Sequence, residues 1–170
     1  MKIGVMGGTY NPPHIGHMHA AQQAKQFLQL DEIIFVPANI PPHKMLPTDA
    51  PDAAHRLAMT KIAARQIAAQ VSDIEILRDG MSYTADTIEQ LAKRYPRDEL
   101  FLIIGTDMFL TIQDWYQPER IFKAATLAVV AREQGKRQEI TTQAEALSQK
   151  GARVRVISGK PLVISSTELR

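Results

Sequence analysis

The sequence contains no cysteine among its 170 residues, and this absence excludes disulfides, thiolate catalysis and cysteine-bound metals. It also lacks an apolar run of transmembrane length, and its N-terminus opens directly into a predicted strand rather than a signal peptide. The formal net charge is only +2, too small to imply a nucleic-acid groove or an anionic membrane surface. We therefore expect a cytoplasmic protein with no nucleic-acid or membrane partner.

The composition that remains is ordinary for a globular domain, with 45% apolar and 22% charged residues. A chain of this length fits one domain that buries about two thirds of its unfolded surface. All five histidines fall in the first third of the chain, at positions 14, 17, 19, 43 and 55. Their clustering suggests local chemistry rather than scattered use on the surface.

A glycine pair, two prolines and two histidines follow the first apolar run, residues 3–6, in the order G-G-T-Y-N-P-P-H-I-G-H. A strand, a glycine-rich turn and a helix in succession are typical of a phosphate-binding loop in an α/β domain. Gly7 and Gly8 lack the Cβ that would keep their backbone amides away from a phosphate. His14 and His17 are three residues apart, so both rings lie near one face of a helix that begins here. The stretch predicts an anion site at a helix N-terminus.

Residues 14–17 fit the pattern H-x-G-H, which nucleotidyltransferases and class I aminoacyl-tRNA synthetases share and use to activate an α-phosphate. A metal-binding pair, with His19 as a third ligand, or two surface histidines are the alternatives. The preceding glycines and prolines after an N-terminal strand favour nucleotidyl transfer over both. A synthetase would also need a lysine-rich signature late in its fold and a tRNA-binding domain, for which 170 residues leave no room.

Apolar runs and helical periodicities alternate along the rest of the chain. Continuous apolar runs such as residues 33–36 suit parallel strands. We predict one α/β domain with a three-layer, Rossmann-like fold and a mostly parallel sheet. The predicted strands are 33–36, 71–77, 100–104, 127–131 and 154–157, and the predicted helices are 15–30, 53–69, one capped by Ser82 or Thr84 that ends near Tyr95, 118–125 and 141–150.

Two further segments carry polar residues where an α/β fold binds ligands. Gly105 directly follows the predicted strand of residues 100–104, and Asp107 lies two residues further on, the position at which doubly wound folds hold a ribose. The proline-rich loop of residues 38–51 carries His43 and Lys44 at its centre. These two cations form either a solvated loop tip or a pair that closes over phosphates.

Motifs in the middle and at the end of the chain complete a family resemblance. The last residues read I-S-S-T-E-L-R and look like the I-S-S-T-x-x-R signature that closes the nucleotide site of adenylyltransferases. Between the two ends, segments resemble nicotinate-nucleotide adenylyltransferases in the family's order: Ser82-Tyr83-Thr84, Asp86-Thr87, Ile104-Gly105-Thr106-Asp107 and Trp115-Tyr116. The chain as a whole is therefore similar to that family.

The chain departs from the family at a few positions. Tyr10 and Asn11 stand where Phe and Asp are more usual, and Thr106 replaces a frequent alanine, but none of these removes a catalytic group. The chain also stops at Arg170, where family members usually continue through a further helical segment. We expect residues 1–170 to form a single nucleotidyltransferase domain without that segment.

The resemblance implies adenylyl transfer from ATP to nicotinate mononucleotide, giving deamido-NAD and pyrophosphate, with Mg²⁺ bound through the substrate phosphates. His14 and His17 would contact the α-phosphate and the developing pyrophosphate, while Lys44 and Arg170 would add cations. The expected ATP-binding residues are Gly7, Gly8, Thr9, Gly105, Asp107, Ser165 and Ser166. The partners are these two small molecules, with a homo-oligomer possible.

For the mononucleotide, the resemblance implies that the nicotinate ring stacks on Trp115 and that its carboxylate meets backbone amides around Thr84 and Tyr116. A lone tryptophan is more often a core residue, but its polar neighbours favour a partly exposed ring. Arg132 is assigned to the same substrate, although for it, as for Arg56, a surface ion pair is the commoner role.

Two alternative functions remain. A pantetheine-phosphate or cytidylyl-transferring enzyme would share both end motifs, and the central S-Y-T and W-Y segments separate this chain from it. A nucleotide-sensing module that has lost turnover is a binding alternative, and the intact His14, His17, Lys44 and Arg170 argue against it.

Overall fold

The computed structural model describes residues 1–42, 46, 50–131 and 136–157. Within these residues six strands form one sheet in which every pairing is parallel, with the order β3-β2-β1-β4-β5-β6. The strands are β1 Lys2–Gly8, β2 Glu32–Pro37, β3 Gln70–Val71, β4 Glu99–Gly105, β5 Thr126–Val130 and β6 Val154–Ile157. The predicted α/β fold with a parallel sheet is confirmed, and the described sheet has no antiparallel strand.

Helices connect the strands and cover both faces of the sheet, as right-handed crossovers in a parallel sheet require. None of the described helices is long and apolar enough to cross a membrane. The helices are α1 Ile15–Leu28, α2 Ala53–Arg65, α3 Thr84–Arg94, α4 Thr106–Thr111, α5 Pro118–Ala124 and α6 Arg137–Ser148, with a 3₁₀ turn at Ile112–Asp114.

Alternate residues of each strand point to opposite faces of the sheet, and this alternation builds two cores. One core joins the sheet to α3, α4, α5 and α6 through side chains such as Val5, Leu102 and Ile88. The other joins it to α1 and α2 through side chains such as Phe35, Ile103 and Ala24. Because the central strands are buried on both faces, their sequences read as continuous apolar runs.

Gly4 in the middle of β1 lets the second core close over the sheet. A Cβ at this position would lie 2.7 Å from Leu30 Cδ1, 2.8 Å from Ile33 Cδ1 and 2.9 Å from Ile103 Cδ1. Three branched side chains therefore fill the space that a methyl group would need. At Gly7, near the end of the same strand, a Cβ would have only the Val36 carbonyl oxygen within 4 Å, at 3.9 Å.

The third predicted strand is largely wrong. Residues 71–77 were expected to form it, but β3 comprises only Gln70–Val71. The amide of Ser72 still reaches the carbonyl of Phe35, at 2.9 Å. After that the Ser72 hydroxyl accepts from the Ile74 amide at 3.3 Å and the chain turns away from the sheet. The alternating polarity of this segment reflects an irregular connection, in which Leu77 is 74% exposed.

Several helix boundaries also differ from the predictions. α2 ends at Arg65 rather than near 69, because Ala68 is left-handed with φ 53° and the Ala69 amide returns to the carbonyl of Ala64. α6 begins at Arg137, four residues before the predicted start. The cap of α3 is Tyr83, without a side-chain hydrogen bond, so neither Ser82 nor Thr84 caps this helix.

We predict that Gly4→Ala lowers the free energy of unfolding by about 1–3 kcal/mol, because the new methyl group overpacks a filled core. Gly7→Ala is the matched control, and its free energy of unfolding should change by less than about 0.5 kcal/mol. Urea denaturation of the three proteins measures both values. Equal losses in the two variants would contradict the packing argument.

Candidate active site

A cavity of about 590 Å³ opens at the carboxyl ends of the strands. The strand order reverses between β1 and β4, and open α/β sheets bind ligands in the crevice at such a switch point. The end of β1 contributes Gly7, Gly8 and Thr9 to the wall, and the end of β4 contributes Gly105 and the following Asp107. These five predicted ATP-binding residues therefore lie around one cavity.

Tyr10 shapes the loop between β1 and α1. Its backbone is left-handed, with φ 52°, and its side chain is buried. The phenol hydroxyl donates to the carbonyl of Met6, and the ring packs edge-on against His17, with 5.0 Å between the ring centroids. Burial, and to a smaller extent the charge of Glu75, raises the pKa of Tyr10 well above its ordinary value, so the hydroxyl stays neutral.

His14 and His17 cap the first turn of α1 reciprocally. The Gly16 amide donates to His14 Nδ1 at 3.0 Å, and the His14 amide donates to His17 Nδ1 at 3.0 Å. Their rings stack with 3.8 Å between centroids, and His14 is buried behind His17, which is the one of the two that lines the cavity. The prediction that both rings share one face is confirmed.

The reciprocal cap fixes the tautomer of both imidazoles. A neutral ring that accepts a hydrogen bond at Nδ1 must carry its proton at Nε2. Each ring of the pair therefore has an Nε2–H donor, at the N-terminus of a helix whose dipole favours anions. This arrangement suits a phosphate oxygen.

Arg56 is buried, and the expectation of a surface ion pair for it is wrong. Only 1% of the residue is exposed, and its guanidinium donates to backbone carbonyls. Nη1 donates to the carbonyls of Thr9 at 2.8 Å and Ala38 at 2.6 Å, while Nη2 reaches Asn39 at 3.3 Å and Nε reaches Pro51 at 3.3 Å. Burial lowers the pKa of this group, but an arginine still remains charged.

The opposite end of the cavity is formed by the start of α3 and by Trp115, which pack on the face of the sheet opposite to α1. Thr84 and Thr87 of α3 line it, together with Ser82, whose hydroxyl accepts from the amides of Asn39 at 2.9 Å and Ile40 at 3.2 Å. These two hydrogen bonds explain why Ser82 is not available as a helix cap. They join the start of α3 to the loop that follows β2.

Trp115 belongs both to the core and to the cavity wall. It is only 8% exposed, so the expected partly exposed ring is wrong. It nevertheless lines the cavity, directly after the 3₁₀ turn. Tyr116 is half-exposed and stacks on Tyr83, with 4.2 Å between ring centroids, and its side chain is not part of the described cavity wall.

Glu75 is a cavity residue that the sequence did not single out. It is buried and lines the cavity, and its Oε2 accepts from the Thr87 hydroxyl at 2.6 Å. Burial raises its pKa to about 7, against the opposing effects of the Thr87 hydrogen bond and the Arg78 charge. Its position within a supposed alternating strand gave no signal that the carboxyl group faces inward.

Five of the predicted site residues lie outside the residues that the structure describes: Lys44, Arg132, Ser165, Ser166 and Arg170.

Asp107, just after the end of β4, has an 86% exposed side chain and pairs with Lys136 Nζ at 3.4 Å. No group of three or more His, Cys, Asp or Glu residues in the described part of the chain is arranged to hold a metal ion.

The chain matches the family model described as cytidylyltransferase-like over residues 5–170. The probable nicotinate-nucleotide adenylyltransferase of Exiguobacterium sibiricum is 42% identical over 171 residues, which cover 100% of this chain and 85% of the relative. That of Geobacter sulfurreducens is 45% identical over 133 residues, which cover 78% of this chain and 61% of the relative. The chain belongs to the nicotinate-nucleotide adenylyltransferases within the cytidylyltransferase-like family.

A solved structure has the same fold at low sequence identity. The nicotinic acid mononucleotide adenylyltransferase of Plasmodium falciparum complexed with NaAD superposes with a TM-score of 0.78 at 19% identity. The alignment covers 98% of this chain and 81% of the other.

We predict that the neutral rings of His14 and His17 carry their proton on Nε2, because both Nδ1 atoms accept backbone hydrogen bonds. His55 is the internal control: its Nδ1 lies 2.7 Å from Asp52 Oδ1, an acceptor, so its proton belongs on Nδ1. Nitrogen-resolved NMR of the imidazoles above their pKa distinguishes the two tautomers. An Nδ1–H signal from His14 or His17 would contradict the cap.

Proposed function

We propose that the protein transfers the adenylyl group of ATP to nicotinate mononucleotide, releasing pyrophosphate and forming deamido-NAD. The observation that carries the proposal is one cavity with two chemically different ends. Backbone amides and the imidazole of His17 line one end, and an indole ring and the start of a helix line the other. The names of the relatives and the NaAD in the Plasmodium falciparum complex support this choice of substrates.

The reaction needs no protein nucleophile. The 5′-phosphate oxygen of the mononucleotide attacks the α-phosphate of ATP in line, the new P–O bond forms, and the bond to pyrophosphate breaks. Catalysis is then positioning and stabilisation of charge on the phosphate oxygens. His17 donates from Nε2 into the cavity, His14 supports it from behind, and the amides of Gly8 and Thr9 add fixed donors.

The nucleoside of ATP lies by this proposal near the end of β4, where Gly105 and Asp107 contact its base or ribose. By this proposal Mg²⁺ would be held through the substrate phosphates, since no group of three or more His, Cys, Asp or Glu among the described residues is arranged to hold the ion. When bound, the ion neutralises phosphate charge. Lys44, Arg170, Ser165 and Ser166 keep the phosphate-binding roles that the family resemblance implies.

The nicotinate ring, we propose, lies against Trp115, with its carboxylate near the first turn of α3. The first amides of a helix have no partner within the helix, and Thr84 begins α3. The backbone amide of Tyr116 keeps the role that the family resemblance implies, while its side chain stacks on Tyr83. Arg132 remains assigned to this substrate, and a cytoplasmic location and a homo-oligomer stay predictions.

We predict pyrophosphate release only when ATP and nicotinate mononucleotide are both present, and a loss of about 10²- to 10³-fold in kcat for His17→Ala, because one donor to the developing charge is removed. A coupled pyrophosphate assay measures both. His55→Ala is the control, since this exposed histidine lies outside the described cavity wall.

Absence of turnover in the wild-type protein would overturn the proposed function. A folded His17→Ala protein with normal kcat would overturn only the role of this histidine.

We also predict that Trp115→Ala raises KM for nicotinate mononucleotide by about tenfold or more while KM for ATP changes little, because stacking on an aromatic ring is lost. Trp115→Phe, which keeps an aromatic face, should recover most of the affinity. Steady-state kinetics of both variants, with their melting temperatures, test this. Equal changes in both KM values, or lost stability at unchanged KM, would assign Trp115 to the core alone.

A further inference from the structure

The carboxyl group of Glu75 is an acid buried at the mononucleotide end of the cavity. The residue lies in the connection between β3 and α3 and is 5% exposed, and it lines the same cavity as Thr84 and Trp115. A carboxyl group almost never occupies such a place without a cation beside it. The groups that contact Glu75 therefore determine whether its carboxyl group is neutral or ionised.

The only hydrogen bond to this carboxyl group from the described residues is that of the Thr87 hydroxyl, at 2.6 Å. Arg78, the cation of the same connection, is engaged elsewhere: it donates to Gln90 Oε1 at 2.6 Å, to Thr87 Oγ1 at 2.9 Å and to the carbonyl of Tyr83 at 3.3 Å. Within the described residues no ion pair joins Arg78 to Glu75. The guanidinium therefore has no direct hydrogen bond to the carboxyl group among the described contacts, and its charge offsets the effect of burial only in part.

Within the part of the chain that the structure describes, Arg78 is the cation whose charge acts on Glu75. Tyr10, from the loop between β1 and α1, is buried and neutral, and α3 presents the uncharged Thr87. His17 and Asp107 are the other titratable residues of the described cavity wall. Burial raises the pKa of Glu75 to about 7, so the carboxyl group changes its charge near neutral pH.

The inference rests on the proposed function, in which the carboxylate of nicotinate mononucleotide comes to this end of the cavity. Two anionic groups in a water-poor site disfavour each other, and the group that can take up a proton does so. An amide in place of the carboxylate has no such requirement, because its NH₂ can donate to an ionised Glu75.

We propose that Glu75 is a specificity-determining residue for the mononucleotide: its neutral form accepts the acid, and its ionised form favours the amide. The proton comes from solvent and returns to it when the product leaves. The acid and the amide mononucleotides have the same phosphate and ribose, so a ratio of their rates isolates the effect of the one differing group.

The free enzyme gives an independent check on the titration of Glu75. Its pKa is higher in the folded protein than its ordinary value of 4.5, so the folded state binds more protons between the two values. The stability of the protein should therefore fall as pH rises through this window, from about 4.5 to about 7. Glu75→Gln, which cannot ionise, should lose this part of the pH dependence.

The decisive experiment is the ratio of kcat/KM for nicotinate mononucleotide to that for nicotinamide mononucleotide, measured at saturating ATP from pH 6 to pH 9. In the wild-type protein the ratio should fall by about tenfold or more over this range, because a pKa change of one unit is a tenfold change in the relative affinity of the two forms. In Glu75→Gln the ratio should stay constant at the value of the low-pH wild-type protein.

Thr87→Val is a second variant, and it tests the proposal even if the Glu75→Gln protein does not fold. It removes the hydroxyl that stabilises the ionised carboxylate, so the midpoint of the ratio should move to higher pH. A ratio that is flat with pH in the wild type, or a pH dependence that survives in Glu75→Gln, would overturn the role of Glu75. Equal losses for both mononucleotides in Glu75→Gln would do the same. Failure of the proposed function is distinct, because neither mononucleotide would then be turned over.

Discussion

A single buried guanidinium holds the loops of this site in place. Moving a charged group out of water costs several kcal/mol unless its donors are satisfied, and Arg56 satisfies them with four backbone carbonyls. Two of these carbonyls, those of Thr9 and Ala38, belong to the segments that follow β1 and β2. The loops after these two strands cannot move apart without exposing the charge, so the part of the cavity wall at Gly8 and Thr9 keeps its shape before any ligand binds.

The same loop connects the two ends of the cavity. Arg56 holds the carbonyls of Ala38 and Asn39, and the Ser82 hydroxyl holds the amides of Asn39 and Ile40. The backbone of residues 38–40 is thus hydrogen-bonded to α2 through Arg56 and to the start of α3 through Ser82. The two ends of the cavity are therefore fixed relative to each other, and the in-line displacement proposed above would require this, since small errors in position cost rate.

The sequence was sufficient where local pattern determines structure. Continuous apolar runs identified β2, β4 and β5, because strands buried on both faces have no polar side to show. It failed at residues 71–77, where polarity alternates as in an edge strand, yet the polar Glu75 faces inward. The pairing of β3 with β2 ends after two residues, and a local sequence pattern does not indicate where pairing with a neighbouring strand ends.

In the site, too, the sequence predicts some features and not others. Its glycines and histidines were recognised from a compact motif, but the reciprocal cap was not, because histidine is an uncommon N-cap residue. The general behaviour of arginines predicts a surface ion pair for Arg56, but the residue is buried. A signal for it does exist, since the buried side of α2 is Arg56, Thr60 and Ala64, a stripe spaced by four residues that includes the charge.

Most contacts that build this site pair a side chain with the backbone. His14 and His17 accept from amides, Tyr10 and Arg56 donate to carbonyls, and Ser82 accepts from amides. A backbone group persists whatever side chain its residue carries, so few identities are needed to keep the geometry. Glu75 is different, because its partners are the side chains of Thr87 and, through it, Arg78. The substitutions that change which mononucleotide is accepted should therefore fall in this side-chain network, where the backbone does not compensate for them.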